Sequence, residues 1–311
     1  MTGVRAAPTM RRMASPELEQ IVAMLRAIPR RENPSVVSLR RGFEAMTRLF
    51  PTAPDVTVEP ADLGGVPGER VTTPGVDPTR AILYLHGGGF VMGSPATHRD
   101  LVARLTRAAG AAAWVPDYRL APEHPFPRGI EDCVTAYRAL LALGFASDRI
   151  AVAGDSAGGG LTMALLLSLR DAGLPLPAAA VCLSPRVDLT MSGASIEARG
   201  ALDPWIPKEG LALMAQHYLA GGDPTAPLAS PMLADLARLP PLLVQVGTAE
   251  VLHDDAMRLA ERARERGVAV TFEAWEEMIH VWQAFPMLPE AHRAVARIGR
   301  FVREHTGGAT T

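Results

Sequence analysis

Ile150-Ala151-Val152-Ala153-Gly154-Asp155-Ser156-Ala157-Gly158-Gly159-Gly160 is the stretch whose reading decides the fold. Its four leading apolar residues read as a strand buried on both faces. Leu161-Thr162-Met163-Ala164-Leu165, after the glycines, reads as the start of a helix. Ser156 falls in the sharp turn between them, in a Gly-x-Ser-x-Gly pattern. Small flanking residues permit strained backbone angles and close helix packing there. Such a turn lifts a serine hydroxyl out at the end of a sheet, beside a helix N-terminus that favours developing negative charge. The bare pattern is common by chance, so the strand before it and the helix after it carry the weight. A phosphate-binding loop would continue with Gly-Lys-Ser/Thr, which is not present. Ser156 is the candidate nucleophile.

Working outward, short apolar runs at 81–86, 112–116, 150–153, 179–183, 242–246 and 268–275 alternate with helical patterns near 98–109, 129–143, 158–172, 254–266 and 289–305. That alternation predicts a mostly parallel sheet flanked by helices. Runs at 56–63 and 69–73 predict an opening antiparallel pair, which makes the sheet eight-stranded. Ahead of them, Ser15-Pro16-Glu17 reads as an N-cap followed by proline at the first helical position, with Leu18, Ile21, Val22 and Leu25 at helical spacing. A second helix from Ser35 carries Val36, Leu39, Phe43, Met46 and Phe50 on one face and is closed by Pro51. Residues 186–240 break the rhythm: they hold Pro204-Trp205-Ile206-Pro207 and a helical pattern from Leu211 to Leu219, and are too long for a simple crossover. The expected organisation is N-terminal cap helices in 1–52, one catalytic domain from 53–185 and 241–311, and an inserted segment at 186–240 that contributes to the cap.

A chain of 311 residues, 48% hydrophobic and 21% charged, can bury one large core. Its net charge of -2, with the cations scattered, gives nucleic acid no electrostatic footprint. Cys133 and Cys182 lie in apolar segments and read as small buried thiols, which fits a reducing compartment. Arg5, Arg11 and Arg12 are followed by no apolar leader, and no apolar run approaches the roughly 18 residues that span a bilayer. The expectation is a soluble, cytoplasmic protein without a membrane span.

A second glycine run, His86-Gly87-Gly88-Gly89-Phe90, follows the strand that ends at Leu85. Bare backbone N–H groups at a strand's carboxyl end suit an oxyanion, and Ala157, next to the nucleophile, adds a further donor. Among eight histidines, His280 alone follows the last expected strand in a short loop before the terminal helix. It also satisfies the chain order serine, acid, histidine. For the acid, Glu250, Asp254 and Asp255 compete after the strand at 242–246. Asp254 and Asp255 fall where a helix begins and have a ready explanation in capping and the helix dipole, which favours Glu250.

Together His86–Phe90, Asp117-Tyr118-Arg119-Leu120-Ala121-Pro122-Glu123, Phe126-Pro127 and Gly154–Gly159 resemble, in order, the signatures of the hormone-sensitive lipase family of bacterial esterases and lipases. The resemblance runs from about residue 80 to the C-terminus and implies an α/β-hydrolase fold with a small helical cap. The family usually carries Asp-x-Leu-x-Asp-Glu after the penultimate strand. Glu250-Val251-Leu252-His253-Asp254-Asp255 stands in that place, so the carried-over acid is Glu250, with glutamate replacing the commoner aspartate. The same carry-over makes Gly88, Gly89 and Ala157 the oxyanion donors and the Tyr118–Glu123 segment structural.

The chemistry implied is acyl transfer from a small-molecule ester to water, with no metal or organic cofactor. Phe90, Trp205 and Met214 are the candidate pocket residues. An amidase or deacetylase acting on a specialised metabolite would use the same triad, and a small-molecule receptor would keep the fold without needing both Ser156 and His280. A homodimer is the assembly admitted as a partner.

Overall fold

The computed structural model describes residues 15–29 and 34–307. Arg5, Arg11 and Arg12, with the first part of the expected cap region, lie outside the described residues. The strands are β1 (Thr57–Asp62), β2 (Pro67–Thr72), β3 (Asp77–Leu85), β4 (Ala111–Pro116), β5 (Ile150–Asp155), β6 (Ala179–Leu183), β7 (Leu242–Gly247) and β8 (Val270–Trp275). The helices are α1 (Pro16–Ala27), α2 (Val36–Thr47), α3 (Pro95–Ala109), α4 (Arg128–Ala142), α5 (Ala157–Asp171), α6 (Ser195–Ala198), α7 (Lys208–Leu219), α8 (His253–Glu265) and α9 (Pro289–Thr306).

The strands form one eight-stranded sheet in the order β1-β2-β4-β3-β5-β6-β7-β8. β2 pairs antiparallel with β1 and β4, and every pair from β4 to β8 is parallel. β3 begins at Asp77, ahead of its apolar run, because Asp77 pairs with Ala111 across a register shift that nothing apolar marks.

Successive side chains of a strand point to opposite faces, and each central strand therefore feeds two cores. Ala81, Leu83 and Leu85 of β3, with Ile150 and Val152 of β5, meet Ile130 and Leu140 of α4 and Leu161 and Leu165 of α5. Ile82, Tyr84, Ala151 and Ala153 face the other way, onto Leu101 and Leu105 of α3 and Ile298 and Val302 of α9. α5 is buried from Ala157 to Leu167, as expected of a helix apolar all round its axis. A parallel sheet covered on both faces leaves its carboxyl ends as the open edge, and Ser156 stands there.

α1 presses Leu18, Ile21 and Leu25 onto Met278, Ile279, Trp282 and Phe285, just beyond β8. α2 buries none of its side chains fully; Val36, Phe43 and Met46 make partial apolar contacts, and one arginine supplies its polar anchor. Arg40 donates to the carbonyl oxygens of Val91 and Ala121 at 2.8 and 3.0 Å and makes a two-pronged contact with Glu123 at 2.7–2.8 Å. That guanidinium holds the Glu123 carboxyl well down, at about 2. Residues 186–240 hold α6, α7 and a short 3-10 turn at Pro231–Leu233. Leu211 of α7 packs on Val251 and Leu252, and Tyr218 joins the core beside α4. Among the described residues no helix is long and apolar enough to cross a membrane.

Arg40→Ala is expected to weaken the attachment of α2 by about 1–2 kcal/mol, mostly through the two carbonyl bonds because Glu123 is half exposed. Hydrogen exchange should quicken across 36–47 while protection of the sheet stays as in the parent chain; equal loss in both would refute this anchoring role.

Candidate active site

Ser156 has φ 51° and ψ -117°, a conformation a non-glycine residue adopts only when its surroundings compel it. Here the end of β6 and the residues after it compel it. The Ser156 N–H donates to the Leu183 carbonyl at 2.8 Å, and its own carbonyl accepts from the Arg186 N–H at 2.9 Å and the Gly160 N–H at 3.2 Å. The nucleophile candidate is thus clamped at both ends of its peptide unit. Ala157 begins α5, so its N–H belongs to the first turn, where helices leave their donors unused.

His280 follows β8 and is 3% exposed. Its Nδ1 lies 2.7 Å from Oε2 of Glu250. The other carboxylate oxygen, Oε1, accepts from the Ser184 hydroxyl at 2.7 Å and from the Gly247 N–H at 2.6 Å. Ser184 Oγ in turn accepts the Val281 N–H at 3.1 Å, so one hydroxyl braces both Glu250 and the loop of His280. Burial disfavours the imidazolium of His280. The hydrogen bond and charge of Glu250, with the charges of Asp203 and Asp155, outweigh it and raise the pKa above the ordinary imidazole value.

The competing carboxylates are engaged elsewhere. Asp254 accepts the Ser195 N–H at 2.9 Å, and Asp255 accepts the N–H groups of Val187 and Asp188 at 3.0 and 3.1 Å. Burial pushes the Asp255 carboxyl up to about 7.

Beneath the glycine run, Asp155 acts as an anchor. Its Oδ1 accepts from the Tyr84 hydroxyl at 2.7 Å and the Gly87 N–H at 3.0 Å, and His98 Nε2 stands 3.4 Å from Oδ2. Burial opposes the charge on Asp155, but His98 and Tyr84 hold its carboxyl below the usual range. The Tyr118 hydroxyl donates to the His86 carbonyl at 2.6 Å, and its ring stacks on His86 at 4.2 Å. Burial and His98 lower the His86 pKa to about 3, which keeps that imidazole neutral. Gly89 has φ 63°, and a Cβ there would run into Met214 Sδ. The loop therefore needs glycine both for its conformation and for the close seat of α7.

A family model described as the alpha/beta hydrolase fold matches residues 82–284. An acetyl-hydrolase of Streptomyces hygroscopicus is 46% identical over 305 residues, covering 95% of this chain and 99% of that protein. A solved esterase of the bacterial hormone-sensitive lipase family is 49% identical with a TM-score of 0.91, covering 94% of this chain and 99% of the other. EstE5, in a crystal soaked with p-nitrophenyl butyrate, is 47% identical with a TM-score of 0.92, covering 95% and 100%. The chain is an α/β-hydrolase of the bacterial hormone-sensitive lipase family.

Within this hydrolase the three expected pocket residues part company. Trp205 is half-buried and stands edge-on to the His280 ring, with centres 6.1 Å apart. Met214 is half-buried against Gly89. Phe90 is instead only 4% exposed and stacks face to face on Tyr218 at 4.0 Å. It packs in the core beneath the loop, where the chain holds it at φ 66°.

Four supporting residues escaped the sequence reading: Ser184, Asp155, His98 and Asp203. Asp155 lay in plain view inside the Gly-x-Ser-x-Gly stretch, and Ser184 directly follows β6. Nothing local marks His98 or Asp203, whose partners are distant in sequence.

Glu250→Ala is expected to lower kcat/KM for ester hydrolysis on the order of 10³- to 10⁴-fold, as loss of an imidazole-orienting acid does. Asp254→Ala should stay within a few-fold of the parent enzyme. The reverse pattern would move the acid role to Asp254.

Proposed function

We propose that this carboxylic ester hydrolase is a serine carboxylesterase acting on short- to medium-chain esters through an acyl-enzyme formed on Ser156. The observation that carries the reading is the 2.7 Å contact of His280 Nδ1 with Glu250, in a chain whose Ser156 is held in a strained strand-to-helix turn. With Nδ1–H donated to the carboxylate, Nε2 is left to take a proton. Ser156 Oγ adds to the ester carbonyl as its proton passes to His280. The oxyanion accepts N–H groups of Gly88, Gly89 and Ala157. His280 then protonates the departing alkoxide, and water repeats the addition on the acyl-enzyme to release the acid and free Ser156.

Residues 53–185 and 241–311 form the catalytic domain in this reading. The helices within 1–52 and the segment 186–240 are its cap, with Trp205 and Met214 bounding the substrate space. A deacetylase acting on a specialised metabolite is the second reading, favoured by the near full-length match to a protein named acetyl-hydrolase. The free, buried Cys133 and Cys182 support a cytoplasmic location, to be checked by cell fractionation. β8 is one of the two outer strands of the sheet, and its open edge supports a homodimer, to be checked by sedimentation.

Turnover of nitrophenyl esters of graded acyl length is expected to peak at short to medium chains. Ser156→Ala should lose at least about 10⁴-fold in kcat, and parent-level turnover in that variant would sink the reading. Because the raised pKa of His280 means that its neutral form is lost as pH falls through a value above 6.5, the acid limb of kcat/KM should lie above that of a free imidazole. A limb below 6.5 would contradict the assigned environment of the base.

A further inference from the structure

Asp203 lies in the segment between β6 and β7 and is 2% exposed. Its carboxylate accepts three backbone N–H groups. Oδ1 takes those of Trp205 and Ile206, each at 2.9 Å, which closes a local turn. Oδ2 takes that of Val251 at 3.0 Å. The third bond is no part of the turn. Val251 follows Glu250 in the chain, so the bond ties the loop that presents the acid to a segment some fifty residues away, and the turn it closes delivers Trp205 to His280. The Trp205 ring meets His280 at an interplanar angle of 73° and also Phe285, with centres 5.7 Å apart.

A buried carboxylate is costly unless donors or charge compensate it. Burial pushes the Asp203 pKa up, while His280 and the three amides pull against that. The attraction is mutual. The charged groups acting on His280 are Glu250 from the loop after β7, Asp203 from the inserted segment and Asp155 from the end of β5. α1 offers this region Leu18, Ile21 and Leu25, and the residues flanking the base are Met278, Ile279 and Trp282, all uncharged. Two cations reach this side: Arg26 of α1 donates to the Ala201 carbonyl at 3.5 Å, and Arg199 donates to the Thr248 carbonyl on the acid loop.

We propose that Asp203 is a positioning residue for the acid–base pair: it pins the Glu250 loop, sets Trp205 against His280, and supplies a second negative charge that stabilises the imidazolium formed during acyl transfer. The proposal rests on the esterase reading above.

The test is the pH–rate profile of kcat and kcat/KM on a nitrophenyl ester for the parent enzyme, Asp203→Asn, Asp203→Ser and Trp205→Phe. Rates are normalised by active-site titration with a phosphonate, so that a poorly folding variant is still read on its competent fraction. Both Asp203 variants are expected to lose on the order of 10- to 100-fold in kcat, the scale of losing an orienting outer group. Their acid limb should move to lower pH, because the imidazolium has lost an anion. Trp205→Phe should lower kcat less and leave the limb in place. A merely structural Asp203 would lower the thermal midpoint and the competent fraction while the limb stayed where the parent has it, and that outcome overturns the proposal, as does a parent-like kcat in both Asp203 variants. Ser156→Ala, run alongside, separates the two levels. Turnover in Ser156→Ala defeats the esterase reading itself, whereas its loss together with an unmoved limb in the Asp203 variants defeats only the role of Asp203.

Discussion

The seat of α5 on the ends of β3 and β6 is the constraint on which the rest depends. A Cβ at Gly158 would collide with the carbonyl oxygens of Leu85 and His86, so the first turn of the helix lies directly on the backbone that leads into the glycine run. The same approach brings the Ser156 peptide against Leu183 and Arg186. The candidate nucleophile and the proposed oxyanion donors are therefore not two features placed independently. They are the two sides of one backbone contact, and Asp155 rivets it from beneath by holding the Gly87 N–H. From β6 the linkage continues through Ser184 to Glu250 and to the Val281 N–H, so that the five neighbouring strand ends from β3 to β8 act as one rigid rim. Preorganisation of this kind means that no donor has to reorient as charge develops on the substrate.

The carboxylates buried near this rim show how environment assigns roles to one chemical group. Asp255 has two amide donors, yet burial and the charge of Asp188 leave its carboxyl at about 7, fit for closing a scaffold. Arg186, fully buried nearby, is pulled down to about 10 by the same desolvation. Asp155 has charge-assisted partners in His98 and Tyr84 and stays anionic. Glu250 has a hydroxyl, an amide and an imidazole around its two oxygens. What distinguishes these acids is the count and charge of the donors that reach them, since hydrogen bonds to charged groups are the ones large enough to oppose desolvation.

The layered fold was readable because its determinants are local and periodic. The apolar runs of β5, β6 and β7 and the helical spacing of α5 and α9 are dictated by burial on two faces, and the strands lie where those runs do. The register shift at the start of β3 was not readable, since Asp77-Pro78-Thr79-Arg80 pairs for reasons of backbone geometry that leave no apolar trace. α3 starts at Pro95, before the apolar pattern, through a capping box between Ser94 and Thr97 that sequence spacing allows but does not demand. At the site, residue types at strand ends nominated Ser156, His280 and the glycines. The stacking of Phe90 on Tyr218 was not readable, because adjacency to a glycine loop says nothing about which way the chain turns a side chain. Ser184, His98 and Asp203 matter through contacts that exist only once the sheet is assembled.

The glutamate at position 250, where the resemblance makes aspartate commoner, follows from reach. Its Oε1 is held at the end of β7 by Gly247 and at the end of β6 by Ser184, while Oε2 must extend to His280 beyond β8. Spanning three strand ends from one Cα requires the carboxylate to stand away from its own backbone. An aspartate would draw it back by one carbon–carbon bond, about 1.5 Å, which is half the length of a hydrogen bond. The shorter acid could keep the amide of Gly247 or the imidazole, but not both without moving the loop, and the Val251 N–H bound by Asp203 opposes that movement. The extra methylene is thus matched to a loop fixed from outside, and the acid and its tether are best understood as one unit.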